Sequence, residues 1–183
     1  MRRRLKWMNM DQFHELLLNR RSIRRYTDEP ISADEVRLIL EAGLMSPSSK
    51  RKMPWHFVVV EDKAMLEQLS QCRDAGAGPI ANSALTIIVT IDMTQSEAWV
   101  EDGSIAAVLM QLQAHSLGLG SCWIQMRNRS LGEEATEDIV REMLDIPETM
   151  GILCAVTIGH KDEVRKPFDE EKMMWERVHI SKW

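Results

Sequence analysis

Residues 84–91 read Ala-Leu-Thr-Ile-Ile-Val-Thr-Ile, a nearly continuous run of apolar and β-branched side chains. Such residues favour strands, and an uninterrupted apolar run is typical of a strand that is covered on both faces. The run therefore predicts a central strand with helices packed above and below it. Two further apolar runs, at 56–60 and 152–159, and the segment 121–125 predict the other strands of the sheet.

Helical patterns lie between these predicted strands. Ser32 and Glu35 have the spacing of a capping box, and the helix that follows should end near Met45 because Pro47 disfavours helix at the residue before it. The longest helical pattern, about 96–117, is apolar nearly all round in its middle, which places it in the core or at a subunit interface. The alternation of strands and long helices indicates an α/β or α+β layer fold.

Charge is distributed unevenly along the 183 residues, whose formal net charge is −5. Residues 1–52 contain 12 basic and 7 acidic side chains, whereas residues 53–183 contain 11 basic and 21 acidic ones. No internal repeat or flexible linker divides the chain. We therefore expect one domain over residues 11–183, preceded by a basic N-terminal arm of residues 1–10.

Several classes of protein are disfavoured by simple features of the sequence. No run of about 18 uncharged apolar residues predicts a membrane helix, and the basic start lacks the apolar region of a signal peptide. Cys72, Cys122 and Cys154 form no CxxC pair, so a cytoplasmic location is the simplest expectation. The five histidines lie far apart, without metal-ligand spacing, and we expect no metal site.

A dense group of cations lies at residues 20–25, which read Arg-Arg-Ser-Ile-Arg-Arg. Alternate residues of an extended segment face the same way, so Arg20, Ser22 and Arg24 can converge on one anion. A phosphate is the natural partner for several guanidinium groups. From the residues alone, a solvated basic face and surface salt bridges with the acidic body remain alternatives.

A second polar segment, residues 46–52, reads Ser-Pro-Ser-Ser-Lys-Arg-Lys and leads into Pro54 and Trp55. A loop held between a helix and a buried strand is a common place for a binding group. An ordinary loop that ends a helix explains the composition equally well.

The sequence offers no convincing catalytic side chain. Gly118 and Gly120 follow a helical pattern and precede a strand, which is the reverse of the context of a dinucleotide-binding glycine motif. Cys122 is either a nucleophile or a buried structural thiol, and the second interpretation is favoured because nothing places a base beside it. Catalysis is therefore expected to belong to a bound cofactor, and we assign no catalytic residue.

Five short segments share the order and spacing of motifs from one enzyme family. They are Asn-Arg-Arg-Ser-Ile-Arg-Arg-Tyr at 19–26, Ala-Gly through Ser-Pro-Ser-Ser at 42–49, Pro-Trp-His-Phe at 54–57, Leu-Gly-Leu-Gly-Ser-Cys-Trp-Ile at 117–124, and Ile-Gly-His-Lys at 158–161 with Lys-Pro at 166–167. Over about residues 11–183 the chain thereby resembles the nitroreductase family of FMN-dependent NAD(P)H oxidoreductases.

The resemblance implies a three-layer α+β fold, with a central mixed, mainly antiparallel sheet flanked by helices. It also implies a homodimer with exchanged C-terminal tails and two FMN molecules at the subunit interface. The tail, residues 161–183, is highly charged but carries several aromatic residues. From its composition alone, it either docks on a second copy of the chain or wraps around its own domain.

The resemblance also implies the residues that bind the cofactor. Those expected at the ribityl phosphate and the pyrimidine edge of the flavin are Arg20, Arg21, Ser22 and Arg24, with Arg165 and Lys166 reaching the same phosphate from the tail. Those expected to approach the isoalloxazine from the other subunit are Pro47, Ser48 and Ser49. Those expected to line the ring near the nitrogen that takes up hydride are Trp123, Ile124 and Gln125.

The implied function is electron transfer from NAD(P)H to a small organic acceptor, such as a nitroaromatic or a quinone, by a ping-pong mechanism. Many relatives have Asn and Gln at the positions of Arg51 and Met53, and some have Glu-Gly or a basic residue at the positions of Gln125 and Met126, which leaves the acceptor open. Reductive dehalogenation or oxidative desaturation on the same scaffold is an alternative. Nucleic-acid binding by the basic residues of positions 1–52 is a remote alternative. The rest of the chain is acidic, and few aromatic residues lie among these basic side chains.

Overall fold

The computed structural model of the protein describes residues 10–183. Its strands, in chain order, are β1 Trp55–Val60, β2 Leu85–Asp92, β3 Gly120–Gln125, β4 Ser130–Leu131, β5 Glu134–Ala135 and β6 Met150–Gly159. Its α-helices are α1 Met10–Asn19, α2 Ala33–Leu44, α3 Lys63–Leu69, α4 Trp99–Ser116 and α5 Thr136–Met143. The predicted arm of residues 1–10 lies outside the described residues except for Met10, which begins α1.

A four-stranded sheet in the order β1-β2-β6-β3 forms the centre of the fold, and β4 and β5 form a separate hairpin. All three pairings in the central sheet are antiparallel. Among residues 10–183, parallel pairing occurs at one bridge, between Ser22 and Ser121 on the outer edge of β3. The strand predicted at 84–91 is confirmed, because β2 lies between two neighbours and its residues 85–91 are buried.

Helices cover both faces of this sheet and form the outer two of three layers. On one face, Leu66 and Leu69 of α3 and Ile139 and Val140 of α5 belong to one apolar cluster. On the other face, side chains of α2 and α4 pack against β2, β3 and β6 in a second cluster. The α+β layer fold implied by the resemblance is therefore confirmed.

Helix α4 is buried on one side only. Ala106, Ala107 and Met110 face the core, whereas Ile105 and Val108 are 40 % and 46 % exposed. The observed bounds, Trp99–Ser116, lie within the predicted range of 96–117. No other part of residues 10–183 covers its outer apolar side, although its sequence is apolar nearly all round.

The second helix forms as predicted, with a complete capping box at Ser32 and Glu35. Helix α5 begins only at Thr136, because the two residues before it form strand β5 of the β4–β5 hairpin, whose turn contains Gly132 with a φ of +59°. In the tail, short 3-10 turns at Glu170–Lys172 and Trp175–Arg177 interrupt an exposed, irregular segment. Among the described helices, none has the length and apolarity needed to cross a membrane.

Candidate functional site

The arginine-rich segment, residues 20–26, runs in extended form across one end of the sheet. The N–H of Ile23 donates to the carbonyl of Ser121 on β3 at 2.9 Å, and the N–H of Thr27 donates to the carbonyl of His160 at 3.0 Å. Helix α1 ends at Asn19, just before this segment. The predicted junction between a helix and an extended stretch is therefore present, and backbone hydrogen bonds fix it to the sheet.

Tyr26 fixes the C-terminal end of the segment through hydrogen bonds of its hydroxyl group. Its hydroxyl donates to the Ile23 carbonyl at 2.5 Å and lies 2.7 Å from Oγ1 of Thr157 on β6. Burial raises the pKa of this hydroxyl, so it stays protonated at neutral pH. Glycines permit the close approach: a Cβ added at Gly120 would meet Ile23 at 2.7 Å, and one added at Gly159 would meet the Tyr26 ring at 2.7 Å.

The segment forms one wall of an open cavity of about 300 Å³, and the tail forms the other. The lining residues are Arg20, Arg21, Ser22, Arg24, Arg165 and Lys166. The structure thus brings together the six residues that the resemblance expects at the ribityl phosphate and the pyrimidine edge of the flavin. Five cationic side chains and a hydroxyl are a donor set that fits a phosphate group, because guanidinium groups bind its oxygens through short, charge-assisted hydrogen bonds.

Glu163 organises this cavity and was not predicted from the sequence. Its carboxylate accepts the backbone N–H of Arg24 at 2.6 Å and pairs with Nη2 of Arg165 at 2.6 Å. The hydrogen bond from Arg24 is the main cause that lowers the pKa of Glu163. The position of Glu163 two residues before Arg165 could have suggested an ion pair between them from the sequence. Only the fold shows that Glu163 also contacts Arg24.

Arg21 ties the tail to the segment. Its Nε donates to the Lys166 carbonyl at 3.0 Å, and its guanidinium carbon lies 5.3 Å from the centre of the Phe168 ring. The Phe168 N–H in turn donates to the carbonyl of Leu18 at 2.8 Å. These contacts hold Arg165 and Lys166 beside the arginine segment.

A neighbouring cavity of about 220 Å³ shares Arg21 and Arg165 and is also lined by His115 and Lys161, which sequence reasoning did not single out. Burial lowers the pKa of both His115 and Lys161, and for His115 the nearby cations lower it further. A His115 side chain with a lowered pKa is mostly neutral at pH 7. The positive charge at this junction therefore resides mainly on the arginines and lysines.

The residues predicted at the flavin ring lie on β3, the edge strand next to the arginine segment. Because side chains alternate along a strand, the side chain of Ile124 points away from those of Trp123 and Gln125 and is buried in the core. Trp123 Nε1 donates to Gln125 Oε1 at 2.9 Å. Ile124 is therefore excluded from a ligand contact through its side chain, and Trp123 and Gln125 form the accessible face.

Cys122, on the same side of β3 as Ile124, is 2 % exposed. Burial raises the pKa of its thiol, which disfavours the nucleophilic thiolate. The interpretation of Cys122 as a buried structural thiol is confirmed.

Pro47, Ser48 and Ser49 lie in the loop of residues 46–54. The hydroxyl of Ser48 accepts the N–H of Met53 at 2.9 Å, which closes the loop on itself. The N–H of Ser49 donates to Oδ1 of Asp102 in α4 at 2.7 Å. These bonds give the loop a defined shape, although most of its side chains are exposed.

The loop and the arginine cavity lie at opposite ends of the sheet. The loop precedes β1, and its Pro54 carbonyl accepts the N–H of Asp92, which pairs with Met150 at the start of β6. The arginine segment contacts the other end of β6, beyond Gly159. A strand of 10 residues is roughly 30 Å long. A single chain therefore does not bring Pro47–Ser49 to the cavity at Arg20.

Comparison with known proteins identifies this arrangement. The sequence model of the nitroreductase family matches residues 17–88 and 79–160, which together include the arginine segment, the loop and all four strands of the central sheet. The chain belongs to the nitroreductase family. The recognition made from the five sequence segments is confirmed.

Individual members of the nitroreductase family are similar over nearly the whole chain. The structure of an FMN-dependent nitroreductase from Clostridium difficile R20291 superposes with a TM-score of 0.90 at 40 % identity, and covers 92 % of this chain and 98 % of that one. A protein of Archaeoglobus fulgidus with a provisional assignment as NADH dehydrogenase/NAD(P)H nitroreductase is 34 % identical over 95 % of this chain and 100 % of its own length. The NADPH-flavin oxidoreductase of Vibrio harveyi is 28 % identical over 84 % of this chain and 68 % of its own.

Proposed function

We propose that this chain is an FMN-dependent NAD(P)H oxidoreductase that works as a homodimer. Family membership supports the enzyme class, and the names of the C. difficile and V. harveyi proteins support the flavin and the nucleotide. The observation that carries the proposal is the convergence of five cationic side chains and the Ser22 hydroxyl on one cavity. These are the residues that the resemblance expects at the ribityl phosphate and the pyrimidine edge of the flavin.

In this proposal, Arg20, Ser22 and Arg24 hold the phosphate from one side, and Arg165 and Lys166 hold it from the tail. Arg21 contributes by keeping the tail in place. Glu163 fixes the Arg165 guanidinium, and its single negative charge offsets only part of the positive charge of the five cationic side chains. The bound phosphate would offset more of that charge, which favours binding of a dianionic group over a neutral one.

When bound, FMN would supply the redox chemistry: it would accept a hydride from NAD(P)H and, in a separate half-reaction of a ping-pong cycle, pass electrons to a small nitroaromatic or quinone acceptor. The protein supplies position and electrostatics. Since the Ser121 carbonyl on β3 accepts from Ile23, the alternation of a strand directs the N–H of Trp123 to the same open edge. Fixed backbone donors and nearby cations of this kind stabilise negative charge without reorganisation.

Three observations support the homodimer. The loop residues Pro47–Ser49 lie at the far end of the sheet from the arginine cavity of their own chain, so a second copy is needed to complete a site that contains both. An apolar surface on α1, α2 and α4 is not covered by the described part of the chain; its exposed members are Phe13, Leu17, Leu44, Met45, Ile105 and Val108. Finally, Trp175 and Trp183 of the tail are 71 % and 101 % exposed, which supports docking of the tail on a partner copy.

The three cysteines are free and buried. This supports the proposed cytoplasmic location, since reducing compartments keep thiols unpaired.

Flavin binding and turnover test the proposal directly. Protein incubated with FMN and freed of unbound flavin should carry about one FMN per chain, visible in its absorption spectrum. NADH or NADPH, added without oxygen, should bleach that absorbance, and a quinone or nitroaromatic should restore it. Colourless protein contradicts the assignment of FMN, and a flavin that neither nucleotide bleaches contradicts the assignment of the electron donor.

A further inference from the structure

Asp102 is a buried carboxylate for which the proposed chemistry gives no role. It lies in the first turns of α4, is 2 % exposed, and uses both oxygens as hydrogen-bond acceptors. Oδ1 accepts the backbone N–H of Ser49 at 2.7 Å, and Oδ2 accepts the hydroxyl of Ser96 at 2.7 Å. Aspartate is seldom fully buried without partners, because desolvation of its charge is costly. Its position therefore calls for an explanation.

The loop that Asp102 contacts has an unfavourable backbone. Lys50, Arg51 and Met53 have φ values of 53°, 57° and 49°, in the left-handed region. Residues with a Cβ rarely adopt this region, and three of them lie here within four positions. Such conformations persist where surrounding contacts impose them, and they cluster at functional sites.

Several hydrogen bonds hold this loop in place, including one from the N–H of Asp92 to the Pro54 carbonyl at 2.8 Å. Within the loop, the Ser48 hydroxyl accepts the N–H of Met53, and the Ser48 carbonyl accepts the N–H of Arg51 at 3.2 Å. The bond from Ser49 to Asp102 joins the loop to a helix 53 positions away in the sequence. Its acceptor is charged and buried, and its donor is a main-chain group, so it fixes the path of the backbone itself.

We propose that Asp102 is a positioning residue, whose carboxylate holds the 46–54 loop in the shape that presents Pro47, Ser48 and Ser49 to the flavin of the partner subunit. The part that concerns FMN rests on the proposed function. The anchoring of the loop does not, because it follows from the contacts within one chain. Ser96 shares the carboxylate but does not contact the loop through it, which provides a matched control.

Limited trypsin digestion measures the anchoring without FMN, because Lys50, Arg51 and Lys52 are exposed and susceptible to trypsin. Cleavage requires local opening of the loop, so its rate follows the population of the open form. Asp102→Ala should increase cleavage within the loop on the order of tenfold or more, as expected for loss of a charge-assisted hydrogen bond. Asp102→Asn keeps an oxygen acceptor but no charge and should lie between Asp102→Ala and wild type, at about threefold or more above wild type. Ser96→Ala removes one hydrogen bond to the carboxylate but leaves the bond from Ser49 intact, so it should accelerate cleavage less than Asp102→Ala does.

Thermal unfolding of each variant separates a local effect from a global one. Loop cleavage at the wild-type rate in Asp102→Ala overturns the proposal, as does equal acceleration in Ser96→Ala. If Asp102→Ala does not fold, Asp102→Asn decides, and a wild-type cleavage rate in that variant overturns the proposal.

FMN titrations test the second part of the proposal, that the anchored loop contributes to flavin binding. Asp102→Ala, or Asp102→Asn if the first is unfolded, should weaken FMN binding, because only the fraction of molecules with a closed loop can contact the flavin. Ser96→Ala should weaken it less than the Asp102 variant does. Unchanged FMN affinity in a variant with a loosened loop overturns the positioning role toward the flavin. Wild-type protein that binds no FMN overturns the proposed function instead, and the cleavage order without FMN still decides whether Asp102 anchors the loop.

Discussion

The ring of Tyr26 lies directly over Gly159, so closely that a Cβ on the glycine would meet ring carbon Cδ1 at 2.7 Å and Cγ at 2.9 Å. Gly159 ends β6, and Tyr26 ends the arginine-rich segment. The same ring carries the hydroxyl that contacts Ile23 and Thr157. The position of the arginines therefore depends on the absence of a side chain at residue 159.

Gly159→Ala should displace the Tyr26 ring and loosen the segment of residues 20–26. Forcing a methyl group into a packed site typically costs about 1–3 kcal/mol of the free energy of unfolding. Denaturant unfolding measures that loss, and FMN titration should show weaker binding. Gly78→Ala is the control, because a Cβ there would meet no atom within 4 Å. Equal stability of the two variants would show that the ring tolerates the methyl group.

Much of the fold could be predicted because its signals are local. The β-branched run at 84–91 marks a buried strand, and the Ser32 capping box marks the start of α2. The conformation of the 46–54 loop could not be predicted, since Lys50 and Arg51 have no intrinsic preference for positive φ. That conformation depends on Asp102, which the sequence places 53 residues away.

The candidate site was predicted in the same uneven way. Arg20, Arg21 and Arg24 are clustered in the sequence and have a chemical preference for phosphate, so their convergence was foreseeable. That Arg165 and Lys166 join them was implied only by the family resemblance. Glu163 and Tyr26 act through contacts between distant segments, which composition does not reveal. Trp123, Ile124 and Gln125 were all expected to line the flavin ring, and it is the structure that separates them, because Ile124 is buried in the core.

Arg20→Ala tests the phosphate cavity. Loss of one charged partner of a phosphate should weaken FMN binding by about 1.5–3 kcal/mol, which corresponds to roughly 10–150-fold in the dissociation constant. Fluorescence titration of FMN measures the change. Arg37→Ala is a suitable control, because Arg37 is exposed on α2 and pairs there with Glu41 at 2.8 Å. If Arg20→Ala binds FMN as tightly as Arg37→Ala does, Arg20 has no part in the site.

Glu163→Gln should change how the free energy of unfolding depends on pH. The pKa of Glu163 is lowered in the folded protein, so ionised Glu163 stabilises the fold above its ordinary pKa of 4.5. This contribution is lost as the pH falls through the lower, folded value. The unfolding free energy of wild type should therefore exceed that of the variant at pH 7, and the difference should shrink below about pH 4.5.

Measuring the difference between wild type and variant at each pH cancels the titration of other groups. Glu133→Gln, at an exposed position of the β4–β5 turn, supplies the baseline. A difference for Glu163→Gln that does not change between pH 7 and pH 4 would mean that the Arg24 and Arg165 contacts add no stability.

Val108→Glu tests the homodimer and the shared site together. Val108 is 46 % exposed on the outer side of α4, within the uncovered apolar surface. In a two-fold interface the same patch of both subunits meets, so a charge there is buried opposite an apolar surface or its own copy. Burial of an unpaired charge is costly, and the variant should sediment as a monomer at concentrations where wild type is dimeric.

The monomer should retain its fold but bind FMN at least about tenfold more weakly, because the arginine cavity of one chain would lack the Pro47–Ser49 loop of the other. Leu131→Glu is the matched control: Leu131 is 44 % exposed but lies in the β4–β5 hairpin, outside the apolar surface. That variant should remain dimeric with normal FMN affinity. A Val108→Glu monomer with wild-type FMN affinity would show that each chain holds its flavin alone, and would remove the partner's loop from the site.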